Sequence, residues 1–150
     1  SMDCCMSFPA AYPADKLCTA SFDWQKHYYP DVADMNRDEL EIAKYLDSHP
    51  DVMHWVRNLE GEHQVNNAFW LRRPHGRFYP DFVAELVGEK YLVVEFKGDH
   101  LDETPEQKEK RGVGEMWAAA SPGDLGFVWA LKKDWQAKID AEIARLGRGE

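Results

Sequence analysis

The sequence predicts an α/β domain in which helices flank a mixed β-sheet. Three observations carry that expectation. Residues 81–87 and 91–97 are short, apolar and β-branched, and Gly88 between them reads as the turn of a hairpin. Two segments, one beginning at Asn36 and one at Thr104, open with helix-start signals. The patterns run helix, several strands, helix, strand, helix, an order that packs as helices against a sheet.

Residues 1–34 are irregular and rich in proline and aromatics, with Phe22, Trp24, His27, Tyr28, Tyr29 and Pro30 close together. They read as an arm that packs on the domain as cover, leaving 35–150 as the domain proper. Residues 36–48 read as the first helix. Asn36 and Glu39 have the spacing of a capping box, and Met35, Ile42 and Leu46 lie along one stripe. Glu39 stands three residues before Ile42 and shares that stripe. His49-Pro50 ends the helix, because the residue before a proline is pushed out of the α region. Residues 51–57 and 68–73 are candidate strands, joined by a polar turn through Gly61. The continuous apolar run Tyr91-Leu92-Val93-Val94 is that of a strand buried on both faces.

Thr104-Pro105-Glu106-Gln107 starts the next helix, with Thr as cap, Pro in first position and Gln in third. It runs to about Ala120 and is stopped by Ser121-Pro122-Gly123. Lys110 shares an inward stripe with Val113 and Trp117. Residues 125–131 are another strand. Asp134 is expected to cap a last helix with Trp135, Ile139, Ile143 and Leu146 on one face.

A chain of 150 residues is a one-domain length that buries a real core. It has no run approaching the ~18 apolar residues of a membrane span. The N-terminal stretch is interrupted by Cys4, Cys5 and Pro9 and is not read as a secretory signal. Cys4, Cys5 and Cys18 form no CxxC spacing and read as reduced thiols of a cytoplasmic protein. The net charge of -9 argues against a general nucleic-acid-binding surface, since phosphate contacts drive non-specific affinity. The basic residues are nevertheless clustered. Arg72, Arg73, His75 and Arg77 precede the central hairpin, and Lys108, Lys110 and Arg111 follow it.

The chemistry gathers in the hairpin. Side chains two apart on a strand share a face, so Glu95 and Lys97 point the same way. A two-residue turn at Gly88-Glu89 would set Asp81 opposite Phe96 and turn it away from Glu95. A three-residue loop over 87–89, or a bulge, sets Asp81 opposite Glu95 and makes all three groups converge. The convergent arrangement is the expected one. Asp81 and Glu95 then offer hard oxygen ligands suited to Mg²⁺, and the Phe96 carbonyl a further oxygen. Lys97 would orient a metal-bound water or stabilise charge on a phosphate. The two carboxylates repel, so a metal or Lys97 must compensate. The competing reading is a surface hairpin with an ordinary Glu–Lys pair. Against it, Glu95 and Lys97 interrupt an otherwise apolar strand, where unpaired charge is costly to bury. Glu39 is explained by capping and is also a candidate metal ligand. Lys110, Arg77 and His75 are candidate phosphate contacts, Lys110 being equally suited to a salt bridge. His63, His75 and His100 lack metal-binding spacing and read as surface residues, with His100 like His75 a candidate phosphate contact.

Pro80-Asp81 followed by Glu95-Phe96-Lys97 resembles the motif of the PD-(D/E)XK nuclease superfamily. Its company is similar too: Glu39 with Ile42 and Ala43, then Trp55-Val56-Arg57-Asn58, and the stretch Glu109 to Ala118, EKRGVGEMWA. Over roughly residues 20–130 the chain resembles the C-terminal nuclease domain of type III restriction-enzyme Res subunits and related DEAD/DEAH-box helicase proteins. The resemblance implies a restriction-endonuclease-like αβββαβ core with an extra N-terminal arm and C-terminal helix. It implies Mg²⁺-dependent hydrolysis of DNA phosphodiester bonds, with Mn²⁺ as a substitute. Asp81 and Glu95 would be the metal-binding acids, Lys97 the catalytic lysine and Glu39 the first-helix acid. An upstream helicase or ATPase partner in a restriction or defence system is also implied. The sequence has no GxxxxGK[ST] phosphate loop, so it carries no motor of its own. The alternatives are a non-catalytic docking module of a helicase and a repair nuclease acting on branched or single-stranded DNA.

Overall fold

A four-stranded mixed sheet forms the middle layer of the domain, with helices on both faces. The computed structural model describes residues 17–18, 22–59, 68–99 and 103–150. In chain order the elements are α1 (Arg37–Ser48), β1 (Val52–Arg57), β2 (Leu71–Arg72), β3 (Arg77–Phe78), β4 (Phe82–Leu86), β5 (Lys90–Gly98), α2 (Pro105–Ala119), β6 (Leu125–Leu131) and α3 (Trp135–Gly147). The sheet order is β1-β4-β5-β6. The first two pairings are antiparallel and the β5–β6 pairing is parallel, bridged by α2.

Both expected capping boxes are present. Asn36 Oδ1 accepts from the Glu39 N–H at 2.8 Å and Glu39 Oε1 accepts from the Asn36 N–H at 2.9 Å. Thr104 and Gln107 exchange the same pair of bonds. These bonds satisfy N–H groups that a helix start leaves without intrahelical partners. Asp134 departs from expectation. It stands at the N-cap position of α3 without capping it. Its carboxylate is consumed by the preceding tight turn, where Oδ1 accepts from the Leu131 N–H at 2.9 Å, and Oδ2 pairs with Lys138.

Strand alternation divides the core. Phe82, Ala84 and Leu86 of β4, with Leu92 and Val94 of β5, pack under α1 and α3. Val83 and Val93 face the other way, with Leu71, Phe78, Trp117 and Trp129, under α2 and the β2–β3 hairpin. β5 is thus buried on both faces, as its unbroken apolar run requires.

The expected strand over 68–73 is a correction. Only Leu71–Arg72 is extended, and it pairs with Arg77–Phe78 in a separate two-stranded hairpin. Pro74 has no N–H for a ladder, and Gly76 at φ 100° lets the chain reverse at once. The expected turn through Gly61 lies outside the described residues, as do Cys4, Cys5, His63 and His100.

The arm covers the outer edge of β1. The Tyr28 N–H donates to the Trp55 carbonyl at 2.9 Å, and the Trp55 N–H donates to the Lys26 carbonyl at 3.1 Å. Asp47, buried on α1, accepts from the Trp55 indole N–H at 2.9 Å and from the Gln25 and Lys26 amides at 2.9 and 2.8 Å. The edge groups that could recruit another strand are partnered there. Cys18 is a free thiol. Among the described residues no helix is long and apolar enough to cross a membrane.

Candidate active site

The register of the central hairpin decides the site. Phe82 pairs with Val94 and Leu86 with Lys90, so the connecting loop is the three residues 87–89. Gly88 at φ 88° and Glu89 at φ 60° make its left-handed turn. One step beyond the ladder, Asp81 meets Glu95. The Asp81 N–H donates to Glu95 Oε1 at 3.1 Å, and the Phe96 N–H donates to Asp81 Oδ2 at 2.7 Å. Lys97 Nζ lies 2.9 Å from Glu95 Oε2 and 5.3 Å from the centre of the Trp129 ring. A register shift in β5 between Phe96 and Gly98, with Gly98 at φ 71°, releases Lys97 from the β6 ladder. Asp81, Glu95 and Lys97 therefore converge.

Glu39 joins them through a residue that sequence reasoning left without a role. Arg57, the last residue of β1, sends Nη1 to Asp81 Oδ1 at 3.0 Å and to the Asp81 carbonyl at 3.2 Å. Its Nη2 reaches Glu39 Oε2 at 3.2 Å and its Nε the Asp34 carbonyl at 3.3 Å. Glu39 is thus a helix cap through one oxygen, while the other is held by Arg57 beside the cluster. The available signal was a charged residue closing a largely apolar strand, the same signal that marked Glu95.

Asn58, quoted with Arg57 in the resembling stretch, is the second residue left without a role. Buried, it donates from Nδ2 to the carbonyls of Phe69 at 2.7 Å and Pro80 at 2.9 Å, and its own N–H donates to the Asp81 carbonyl at 2.8 Å. It fixes the backbone that delivers Asp81.

The cluster sets three carboxylates against two cations. Burial pushes the Glu95 carboxyl well above its ordinary value, the Asp81 charge adds to this, and Lys97 offsets it only in part. Burial also raises Glu39, against the pull of Arg57, and Asp81 raises it further. The raised acids mark an unmet demand for positive charge. A hard divalent cation fits that demand. Each carboxylate oxygen has acceptor capacity beyond the single bond described above. Among the described residues no three His, Cys, Asp or Glu side chains form a metal-holding group on their own. Mg²⁺ is commonly bound through one or two carboxylates, with water completing its shell.

The candidate phosphate contacts lie on neighbouring elements. Lys110 Nζ pairs with Glu106 at 3.4 Å along α2 and stands 6.0 Å from the centre of the Phe78 ring. His75 and Arg77 are exposed on the β2–β3 hairpin, and Arg77 stacks 4.1 Å over the Trp70 ring. Neither a protein-family model, nor a curated protein, nor a solved structure matches this chain.

Proposed function

We propose that this chain is a metal-dependent DNA endonuclease domain whose site is Asp81, Glu95 and Lys97. The observation that carries the reading is the three-residue loop over 87–89, which sets Asp81 against Glu95 and Lys97 rather than turning it away. The order α1, β1, β4, β5, α2, β6 supports an αβββαβ core of the restriction-endonuclease kind, with β2–β3 as an insertion and α3 as an extra C-terminal helix.

Asp81, Glu95 and the Phe96 carbonyl would hold Mg²⁺, or Mn²⁺ in its place, which supplies Lewis-acid polarisation and an activated water when bound. The chain's own groups do the rest. Lys97 Nζ, held between Glu95 and Trp129, stands at the end of β5, where it would orient water and stabilise charge on a phosphate. Arg57 and the Phe96 N–H fix the Asp81 carboxylate from two directions. Glu39 faces the same cluster and would contribute through water.

A docking module with the same fold is the second reading, favoured by the net charge of -9. A helicase or ATPase partner that delivers DNA fits either. Plasmid nicking with Mg²⁺ or Mn²⁺ separates them. Wild type is expected to nick, and Lys97→Ala and Asp81→Ala to lose nicking. Equal activity in all three removes the assignment. Calorimetry with Mn²⁺ is the companion measurement, and binding that ignores Asp81 and Glu95 favours the docking module.

A further inference from the structure

The β2–β3 hairpin lies outside the main sheet and differs in charge from the rest of the chain. Residues 68–80 hold three arginines and a histidine and no acidic residue, in a chain of net charge -9. One side of the hairpin is firmly seated. Leu71 and Phe78 are buried in the cluster that includes Trp117 and Trp129. Arg73 is tied to α2 through Glu109 at 2.9 Å and Glu106 at 3.5 Å. The other side is exposed, and includes His75, Gly76 and Arg77.

Arg77 is held in an unusual way for an exposed arginine. Its guanidinium lies 4.1 Å from the centre of the Trp70 ring. Stacking fixes the plane of the fork without consuming its N–H donors. Among the described residues Arg77 has no carboxylate within ion-pair distance. A guanidinium seated on a ring and exposed to solvent suits the bidentate geometry of a phosphate. Arg77 occupies one face of the Trp70 ring, which is thereby closed to the base stacking that single-strand binders use.

We propose that β2–β3 is a grip for the backbone of duplex DNA, with Arg77 on Trp70 contacting a phosphate and His75 beside it. The grip stands apart from the chemistry, but its placement relative to a cut rests on the endonuclease reading. Arg77 precedes Asp81 by four residues. Four extended residues span at most about 14 Å. Side chains at the two ends add roughly 10 Å, so at ~3.4 Å of axis per base pair the gripped phosphate falls within about seven base pairs of the scissile one. Contacts of this kind position a duplex without reading its sequence.

Fluorescence anisotropy in EDTA tests the grip without any cleavage. Probes are a labelled 20-base-pair duplex and a single strand of the same length, titrated at several salt concentrations from the lowest workable. Variants are Arg77→Gln, Trp70→Leu and, as a surface control on another element, Lys133→Gln. The duplex should bind more tightly than the single strand. Arg77→Gln should weaken duplex binding several-fold at low salt and reduce the slope of log K against log salt by about 0.9, one phosphate contact. Trp70→Leu should weaken it in the same direction, and Lys133→Gln should behave as wild type. Arg77 is exposed, so circular dichroism of Arg77→Gln should match wild type. An unchanged slope in Arg77→Gln, preference for the single strand, or no duplex binding at the lowest salt overturns the grip. A wild type that binds through Arg77 yet never nicks overturns the endonuclease reading alone.

Discussion

Arg57 ties more of the cluster together than any other side chain described. One guanidinium joins the arm at Asp34, α1 at Glu39 and the start of β4 at Asp81. Its side chain is only 15 % exposed, and its partners Glu39 and Asp81 are 12 % and 19 % exposed. Removing one partner of a mostly buried ion pair costs far more than a surface pair is worth. Arg57→Gln should therefore lower stability to urea by about 3 kcal/mol. Arg57→Lys keeps the charge but loses the fork, and should recover only part of that loss. A loss below about 1 kcal/mol would place the pair in the surface class. Glu95 gives a second prediction at this scale. Its folded-state value lies above the ordinary 4.5, so the folded chain holds a proton that the unfolded chain has already released. Stability from this group is undiminished below about 4.5 and falls as pH rises through the raised value. The thermal midpoint of wild type relative to Glu95→Gln should accordingly decline from acid toward neutral pH. Glu39, present in both proteins, cancels from the comparison. A difference that does not vary with pH would show that Glu95 titrates normally.

Helix α2 contains two glycines that should respond oppositely to the same substitution. An added methyl at Gly112 meets nothing within 4 Å, whereas at Gly114 it would stand 2.3 Å from the Phe127 ring. Alanine gains about 1 kcal/mol over glycine in a helix interior, so Gly112→Ala should stabilise by about that amount. Phe127 is hemmed by Phe78 and Trp129, at ring separations of 6.2 and 6.5 Å, so it cannot yield freely. Overpacking there costs about 1–3 kcal/mol and exceeds the helix gain. Gly114→Ala should thus be neutral at best and destabilising by up to about 2 kcal/mol, read by paired denaturation curves. The elements themselves were legible where their signals are local. The two capping boxes and the stop at His49-Pro50 involve residues within four of one another. The hairpin β2–β3 was not, because strands of two residues show no period and the deciding groups are Pro74 and Gly76. The outer edge of β6 was equally illegible. Lys138, Glu142 and Arg145 of α3 partner its groups at Trp129, Phe127 and Leu125, contacts that depend on where the helix docks.

At the scale of the whole molecule, parity made the site legible and separation hid the rest of it. A strand has two faces, so the loop length alone decided between convergence and divergence of Asp81 and Glu95. No such arithmetic links Glu39, Arg57 and Asp81, which lie 18 and 24 residues apart and meet only when α1, β1 and β4 assemble. That assembly concentrates negative charge in a chain that already carries -9. Raised Glu95 and Glu39 are part of the resulting cost to the fold. A divalent cation that binds there must stabilise the native state, since the unfolded chain disperses its ligands. At a concentration 100-fold above its dissociation constant, a ligand adds about 2.7 kcal/mol. For a domain of this size each kcal/mol moves the thermal midpoint by about 2–4 °C, so saturating Mn²⁺ should raise it by about 5–10 °C. The double variant Asp81→Asn, Glu95→Gln should show little of that rise, while Glu39→Gln should keep most of it if, as proposed, Glu39 acts only through water. A double variant that gains as much as wild type would move the cation to another part of the surface, and Asp81 and Glu95 would then be held together by Arg57 and Lys97 alone.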